Sequence, residues 1–282
     1  MARKASPLRR SFSRAALAAG LALALAALAV GALWVALPDP SPLARSAPAT
    51  TALIEERRAE ARAHHRLLHP QRTWVPLERI PREVVAAVLA AEDDRFFEHE
   101  GIDWTATREA AEHDLSHGRL SRGASTITQQ LAKNLWLGTE RSLWRKAKEA
   151  VLAYKLERAL PKRRILALYL NVVELDDGVF GIEAGARDRF GVDAADLSAA
   201  QGVVLAALLP APRRVDLRRP STWIQRRSRR LLDRLAQAGR LDPEEHRHAA
   251  AELDRILAGP RPDQDREEPP EEGEDEGEPT TP

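Results

Sequence analysis

The stretch Pro81-Arg-Glu-Val-Val-Ala-Ala-Val-Leu-Ala-Ala-Glu-Asp-Asp-Arg-Phe-Phe-Glu-His-Glu-Gly101 decides the fold class. Val84, Val85, Val88 and Leu89 recur at the three- and four-residue spacing of one helix face. Pro81 suits the first turn of that helix. The apolar run then ends on Glu92, Asp93, two aromatic residues and His99. Helical spacing returns in Leu143, Ala147, Val151 and Tyr154, and again in Ile165, Leu168 and Tyr169. Alternating strand patterns are scarce, and no internal repeat is present. The spacing predicts a mainly α domain with loops at 116–124 and 174–181.

Upstream, the chain opens on basic residues: Arg3, Lys4, Arg9, Arg10 and Arg14. An uncharged Ala/Leu-rich run follows at 15–38. It is long enough to cross a hydrocarbon core of ~30 Å as a single helix. Basic residues before it and Asp39 after it predict an N-terminus in the cytoplasm and a domain on the outer side. A cleaved signal peptide is the competing reading, but its apolar region would be only ~7–15 residues long. Residues 1–14 therefore read as a cytoplasmic basic tail, 15–38 as a transmembrane helix and 39–74 as a linker and juxtamembrane segment. Within that segment 51–69 reads as helical, which would set His65 and His69 one turn apart. No third ligand stands near them, so no metal site is expected there.

The globular domain is expected over 75–258. The stretch 259–282 is rich in Pro and Glu, cannot bury a core and reads as a disordered acidic tail. That tail holds ten acidic residues and two Arg. Without it, 41 basic residues face 32 acidic ones, so the overall +1 conceals a body of net charge +9. A basic body suits an anionic partner such as a phosphate ligand or a lipid headgroup. The chain has no cysteine, which excludes disulfides, thiolate ligands and a cysteine nucleophile.

Three clusters carry chemistry. In the first, Glu92 and Asp93 end an apolar helix, where partial desolvation can raise a carboxylate pKa and improve a base. The second is Gly123-Ala-Ser-Thr-Ile-Thr-Gln-Gln-Leu-Ala-Lys-Asn134. Its hydroxyls and paired amides suit sugar or diphosphate recognition. An ordinary helix N-cap at Ser125 or Thr126 accounts for part of the same string. In the third, Arg145 and Lys146 lie four and three residues before Glu149, within reach on one helix. Two cations beside a carboxylate can hold a diphosphate, although a surface salt-bridge ladder has the same pattern.

Taken together, these strings resemble the motifs of the peptidoglycan glycosyltransferase family. The pattern E-D-x-x-F-x-x-H-x-G is met by Glu92, Asp93, Phe96, His99 and Gly101. The pattern G-x-S-T-I-T-Q-Q-x-x-K-N is complete from Gly123 to Asn134. R-K-x-x-E is Arg145, Lys146 and Glu149, and K-x-x-I-L-x-x-Y-L-N is Lys162, Ile165, Leu166, Tyr169, Leu170 and Asn171. Within the family the chain is most similar to the monofunctional biosynthetic transglycosylases. No S-x-x-K or K-T-G string occurs, so cross-linking activity is not expected. Arg189, Gln201 and Gly185 depart from the family's usual Tyr, Glu and Ala.

The resemblance implies a lysozyme-like, two-lobed helical glycosyltransferase domain behind a single transmembrane helix, in the bacterial inner membrane. It implies polymerisation of lipid II into β-1,4-linked glycan, with inversion and release of undecaprenyl diphosphate. Glu92 would be the base, with Glu149 on the leaving-group side. Substrate would be held by Asp93, His99, Ser125, Thr126, Gln129, Gln130, Lys133, Asn134, Arg141, Arg145 and Lys146. No cofactor is required on this reading, though a divalent cation (Mg or Mn) at the diphosphate is compatible with it. Expected partners are lipid II, the growing strand, the membrane and other cell-wall synthesis proteins, with no nucleic acid. The family's membrane-embedded segment has candidates in Trp104 and in Leu135, Trp136 and Leu137, each also readable as core. Two other functions compete: a lytic enzyme of lysozyme type and a catalytically idle scaffold. The cations around Lys133 and Arg145 argue against the first, and the intact Glu92 and Glu149 against the second.

Overall fold

A computed structural model of the chain describes residues 7–117, 125–140 and 142–258. Among them are eleven α-helices and one two-stranded hairpin, so the chain is mainly α. Helix α1 (Pro7–Ala36) is continuous through Arg9, Arg10, Arg14 and the apolar run as far as Ala36. It therefore begins inside the segment read as a tail. Its stretch Ala19–Ala36 is long and apolar enough to cross a membrane, with a mean hydropathy of 2.2, and none of it is buried against the rest of the chain.

Helix α2 (Ala52–Ala63) is N-capped by Thr51, whose hydroxyl accepts from Ile54 N at 3.2 Å. It stops at His64, and His65 has a left-handed φ of 54°. His65 and His69 thus do not share a helix turn, and the one-turn spacing drawn from a longer helix is corrected. Residues 39–74 pack onto the domain. Leu43 joins the main core, and Arg57 is bidentate to Glu174 at 2.7 and 2.8 Å.

Helix α3 (Arg82–Glu92) starts one residue after Pro81, which occupies the N-cap position. Its buried face of Val84, Ala87 and Val88 packs on α9 (Ala199–Leu208), an apolar helix with no exposed face. At that contact Gly202 is required, because a Cβ there would lie 2.7 Å from a Val84 methyl. The amphipathic α10 (Thr222–Gln237) and α11 (Pro243–Leu257) close this group. Ser198 and Gln201 form the capping box that starts α9, so the departure at Gln201 has a local role.

The second group is α5 (Ile127–Ala132), α6 (Leu143–Ala159) and α7 (Lys162–Val172), with α8 (Ile182–Phe190) beside α7. In chain order α4 (Trp104–His117) follows α3 and precedes α5, and it extends through Ser116 and His117, two positions expected to be loop. The expected loop at 174–181 is instead a tight antiparallel hairpin, β1 (Glu174–Asp176) and β2 (Val179–Phe180). Strands this short cannot show alternation. One hydrophobic core runs through both groups. Asn171 pins its edge: its amide exchanges hydrogen bonds with Val75 N and O at 2.8 and 2.9 Å.

The other departures also have structural roles. The Arg189 side chain is mostly buried, pairs with Asp176 at 2.5 Å and donates to the carbonyls of Leu175 and Pro212. Leu175 fills the space over Gly185, where an added Cβ would lie 2.4 Å from its Cδ1. Gly185→Ala is therefore expected to destabilise the domain by about 1–3 kcal/mol through overpacking. Thermal denaturation checks this; a midpoint equal to the parent's would contradict it.

Candidate active site

The end of α3 delivers Glu92 into a partly buried position. Its side chain is 13 % exposed. Oε2 accepts from Gln130 Nε2 at 2.9 Å, and Oε1 accepts a long bond from Arg227 Nη2 at 3.4 Å. Gln130 is itself fixed by Tyr169, whose hydroxyl donates to Oε1 at 2.9 Å. That bond assigns the amide orientation and leaves the Gln130 N–H pair for Glu92. Burial pushes the Glu92 carboxyl above the usual range; Gln130, then Arg227 and Lys133, pull it back less strongly. A carboxylate at a helix C-terminus also faces the negative end of the dipole. Both effects favour proton uptake, as a base near neutral pH requires.

Helix α5 begins with a capping box in which Thr126 accepts from Gln129 N and Gln129 Oε1 accepts from Thr126 N. Both residues are buried, and the Thr126 hydroxyl donates to Gly101 O at 2.6 Å. Asp93 accepts from Ile127 N at 2.9 Å and meets His99 Nε2 at 3.0 Å. Asp93, His99, Thr126 and Gln129 thus form a knot beneath the groove that joins α3 to α5. All four were expected to hold substrate, and in the structure they bond to one another or to the nearby main chain. Asn134 is also buried, at 5 % exposure.

After Ala132 the helix widens into a π-turn, Lys133–Leu137. Such turns redirect side chains and recur at functional sites. Here the turn aims Lys133 between the two acids. Burial pushes the Lys133 ammonium down from its ordinary value, while Glu149 and, more weakly, Glu92 pull it up. Both carboxylates therefore act on one cation. On α6, Glu149 is 3 % exposed and pairs at 2.5 Å with both Arg145 and Lys146. Lys146 Nζ also donates to Ser125 Oγ at 3.0 Å, and Arg145 Nε is buried without a partner. Gly123, Ala124 and Arg141 lie outside the described residues.

The groove so assembled contains Glu92 and Gln130 at one end and Ser125, Arg145, Lys146 and Glu149 at the other, with Lys133 between them. A cavity of about 760 Å³ opens beside it, lined by Lys133, Arg145, Arg57, Arg213, Arg214 and Glu174 among others. This cavity lies on the cation side, and Glu92 is not among its lining residues. Sequence reasoning missed Arg227, which stacks over Trp223 and donates to Ala207 O. Its only signal was position: it lies between the buried Ile224, Ser228 and Leu231 on α10.

Of the proposed membrane-embedded residues, Trp104 is 72 % exposed, whereas Leu135 is core and Trp136 and Leu137 are half-buried. Leu143 and Trp144, on the first turn of α6, are exposed.

A carboxylate raised by burial thus stands near a buried acid that holds two cations, a set of side chains suited to proton transfer beside an anionic group. The comparisons make this specific. The transglycosylase family model matches residues 60–236, more than half of the chain. Proteins named biosynthetic peptidoglycan transglycosylase are similar to it. One from Rhodospirillum centenum is 46% identical over 222 residues, covering 79% of this chain and 89% of the relative. One from Nitrosospira multiformis is 42% identical over 191 residues, covering 68% and 83%. The crystal structure of penicillin-binding protein 1A from Haemophilus influenzae aligns at 18% identity and a TM-score of 0.36, covering 69% of this chain and 19% of that one. The chain belongs to the transglycosylase family.

Proposed function

We propose that this chain is a peptidoglycan glycosyltransferase that polymerises lipid II into β-1,4-linked glycan and releases undecaprenyl diphosphate. The observation that carries the reading is the pairing of a desolvated Glu92 with the Lys133, Arg145 and Lys146 cations in one groove. The lipid-linked growing strand is the donor, and the 4-hydroxyl of a lipid II GlcNAc is the acceptor. Glu92 takes the hydroxyl proton as the oxygen attacks the α-linked anomeric carbon. The bond from that carbon to the diphosphate oxygen breaks, and the new link is β, so configuration inverts. Negative charge grows on the diphosphate, where Lys133, Arg145 and Lys146 stabilise it. Arg141 would add to them. Glu149 holds Arg145 and Lys146 in place.

The residues around the diphosphate position do not suit a protein-held divalent cation. Both Glu149 oxygens are engaged by cations, and the one potential metal-ligand cluster among the described residues, Asp93, His99 and Asp103, is closed by its own bonds. A Mg or Mn ion there would be carried by phosphate oxygens, and no step above depends on it.

On this reading α1 anchors the enzyme in the cytoplasmic membrane, where its substrates carry polyprenyl tails. The basic N-terminus stays in the cytoplasm and the domain faces outward. Other cell-wall synthesis proteins are its expected partners. Incubation of the full chain with labelled lipid II should give a ladder of glycan lengths. An enzyme that yields no ladder but shortens preformed glycan would replace this reading with the lytic one.

A further inference from the structure

The last four carbonyls of any α-helix lack an intrahelical donor. At the end of a membrane span they must be met by interfacial water or by donors from the protein. In α1 the catalytic domain supplies a donor. Lys155, on α6, donates from Nζ to Trp34 O at 2.9 Å and to Leu37 O at 2.7 Å. The residue is only 8 % exposed. Its ammonium also lies 5.3 Å from the centre of the Trp34 ring, and Trp34 stacks edge-on against Tyr154, the residue before it. A cation at the negative end of the helix dipole is favourable. Among the described residues, no ion pair holds Lys155 elsewhere.

The next residues are fastened in the same way. Arg164 donates to Leu43 O at 2.7 Å and Ser46 O at 2.8 Å, and Arg72 donates to Pro48 O at 2.6 Å and Ala49 O at 3.0 Å. Three cations thus bind six main-chain carbonyls between Trp34 and Ala49. A Pro/Ser/Ala segment that would otherwise be a flexible tether is bound along its length.

Helix α6 is the rod that links this attachment to the chemistry. It carries Arg145, Lys146 and Glu149 in its first half and Lys155 near its end. Ten residues at 1.5 Å each set Lys155 roughly 15 Å along the axis from Arg145. We propose that Lys155 is a positioning residue that locks the end of the membrane span to the helix bearing the leaving-group cations, and so fixes the height of the phosphate site above the bilayer. The proposal rests on the reading of α1 as a membrane span and of lipid II as the substrate. A diphosphate tethered by a long tail sits at a set depth, so the height of the cations decides whether they meet it. A short-tailed substrate can leave the surface and does not need that register.

The test uses the full chain in proteoliposomes and compares the parent with Lys155→Met and Lys155→Arg. Each is assayed on long-tailed lipid II in the bilayer and on a short-tailed, water-soluble analogue. Because the chain has no cysteine, spin labels can be placed through Val35→Cys and Arg230→Cys, both exposed positions, to read the distance between α1 and the domain. Lys155→Met is expected to lose about tenfold or more on the long-tailed substrate, since small misplacements carry costs of that order. Its rate on the short-tailed analogue should stay within about twofold, and its label distances should broaden. Lys155→Arg, which keeps the charge and several N–H donors, should recover the narrow distribution and most of the activity. Equal losses on both substrates, no loss on either, or an unchanged distance distribution would overturn the proposal. If the parent polymerises neither substrate, the substrate reading fails, and the label distances alone then decide whether Lys155 fixes the span.

Discussion

Glu92→Gln is expected to slow glycan polymerisation by about 10²–10⁴-fold, the usual contribution of a positioned general base. The fold should survive, because Gln keeps the volume and its carbonyl can still accept from Gln130 Nε2. Stability should in fact rise. Burial holds the Glu92 pKa above its unfolded value, so the folded state retains a proton that the unfolded chain releases. Stability from that retention is full below the unfolded pKa and is lost as pH climbs through the raised folded value. Near pH 7 the folded protein therefore bears the cost of a desolvated charge that a neutral amide removes. A rise of a few degrees in thermal midpoint is expected, the usual trade between stability and a strained functional group. In the parent, the acid limb of kcat/KM against pH should lie above the ordinary carboxylate range. Near-parental activity in the variant would remove Glu92 from the base role, and an acid limb at an ordinary carboxylate pKa would remove the desolvation argument.

What the sequence disclosed depended on the range of each signal. The faces of α3, α6 and α7 were legible because helix periodicity is local: Val84 and Val88, or Ile165 and Tyr169, announce themselves within a turn or two. The i,i+3 and i,i+4 contacts of Glu149 were legible for the same reason. The string around Thr126 carried two messages at once. Thr126 and Gln129 satisfy a capping box, and that demand buries them, which leaves Ser125, Gln130 and Lys133 to face the groove. Motif matching weights all five alike and cannot separate the two roles. Long-range partners were not legible. Arg227 lies 135 residues from Glu92, and Arg57 lies 117 from Glu174. Nor could composition show that 39–74 is bound to the domain, because its Leu43 and Ser46 carbonyls are held by Arg164 through main-chain contacts that leave no side-chain pattern. The hairpin at 174–180 was hidden by its length. The π-turn at Lys133–Leu137 was hidden because the periodicity of Leu131, Leu135 and the residues around them is that of an ordinary helix.

Glu149→Gln should behave oppositely to the Glu92 variant, losing stability and activity together. Glu149 is almost fully buried and neutralises two cations. Breaking a buried ion pair from one side leaves the other charge uncompensated, at a cost of about 3–5 kcal/mol when both partners are buried. The cost here is smaller, because the Lys146 side chain is 45 % exposed and can return to water. A loss of about 1–3 kcal/mol is expected. The amide can accept from one cation but must turn its NH₂ towards the other, so Arg145 and Lys146 cannot both stay in register. Polymerisation should fall by about 10²-fold, the scale of removing one fixed electrostatic contact to a developing charge. The pH profile gives the sharper test. Burial lowers the Lys133 pKa, and Glu149 is the strongest influence raising it again. Without that charge, Lys133 should lose its proton at lower pH, and the alkaline limb of kcat/KM should move down accordingly. In Glu92→Gln the same limb should move less, because Glu92 is the weaker support of Lys133. An alkaline limb that is identical in the parent and Glu149→Gln would mean that Glu149 does not sustain the lysine between the two acids, and the leaving-group half of the groove would need another explanation.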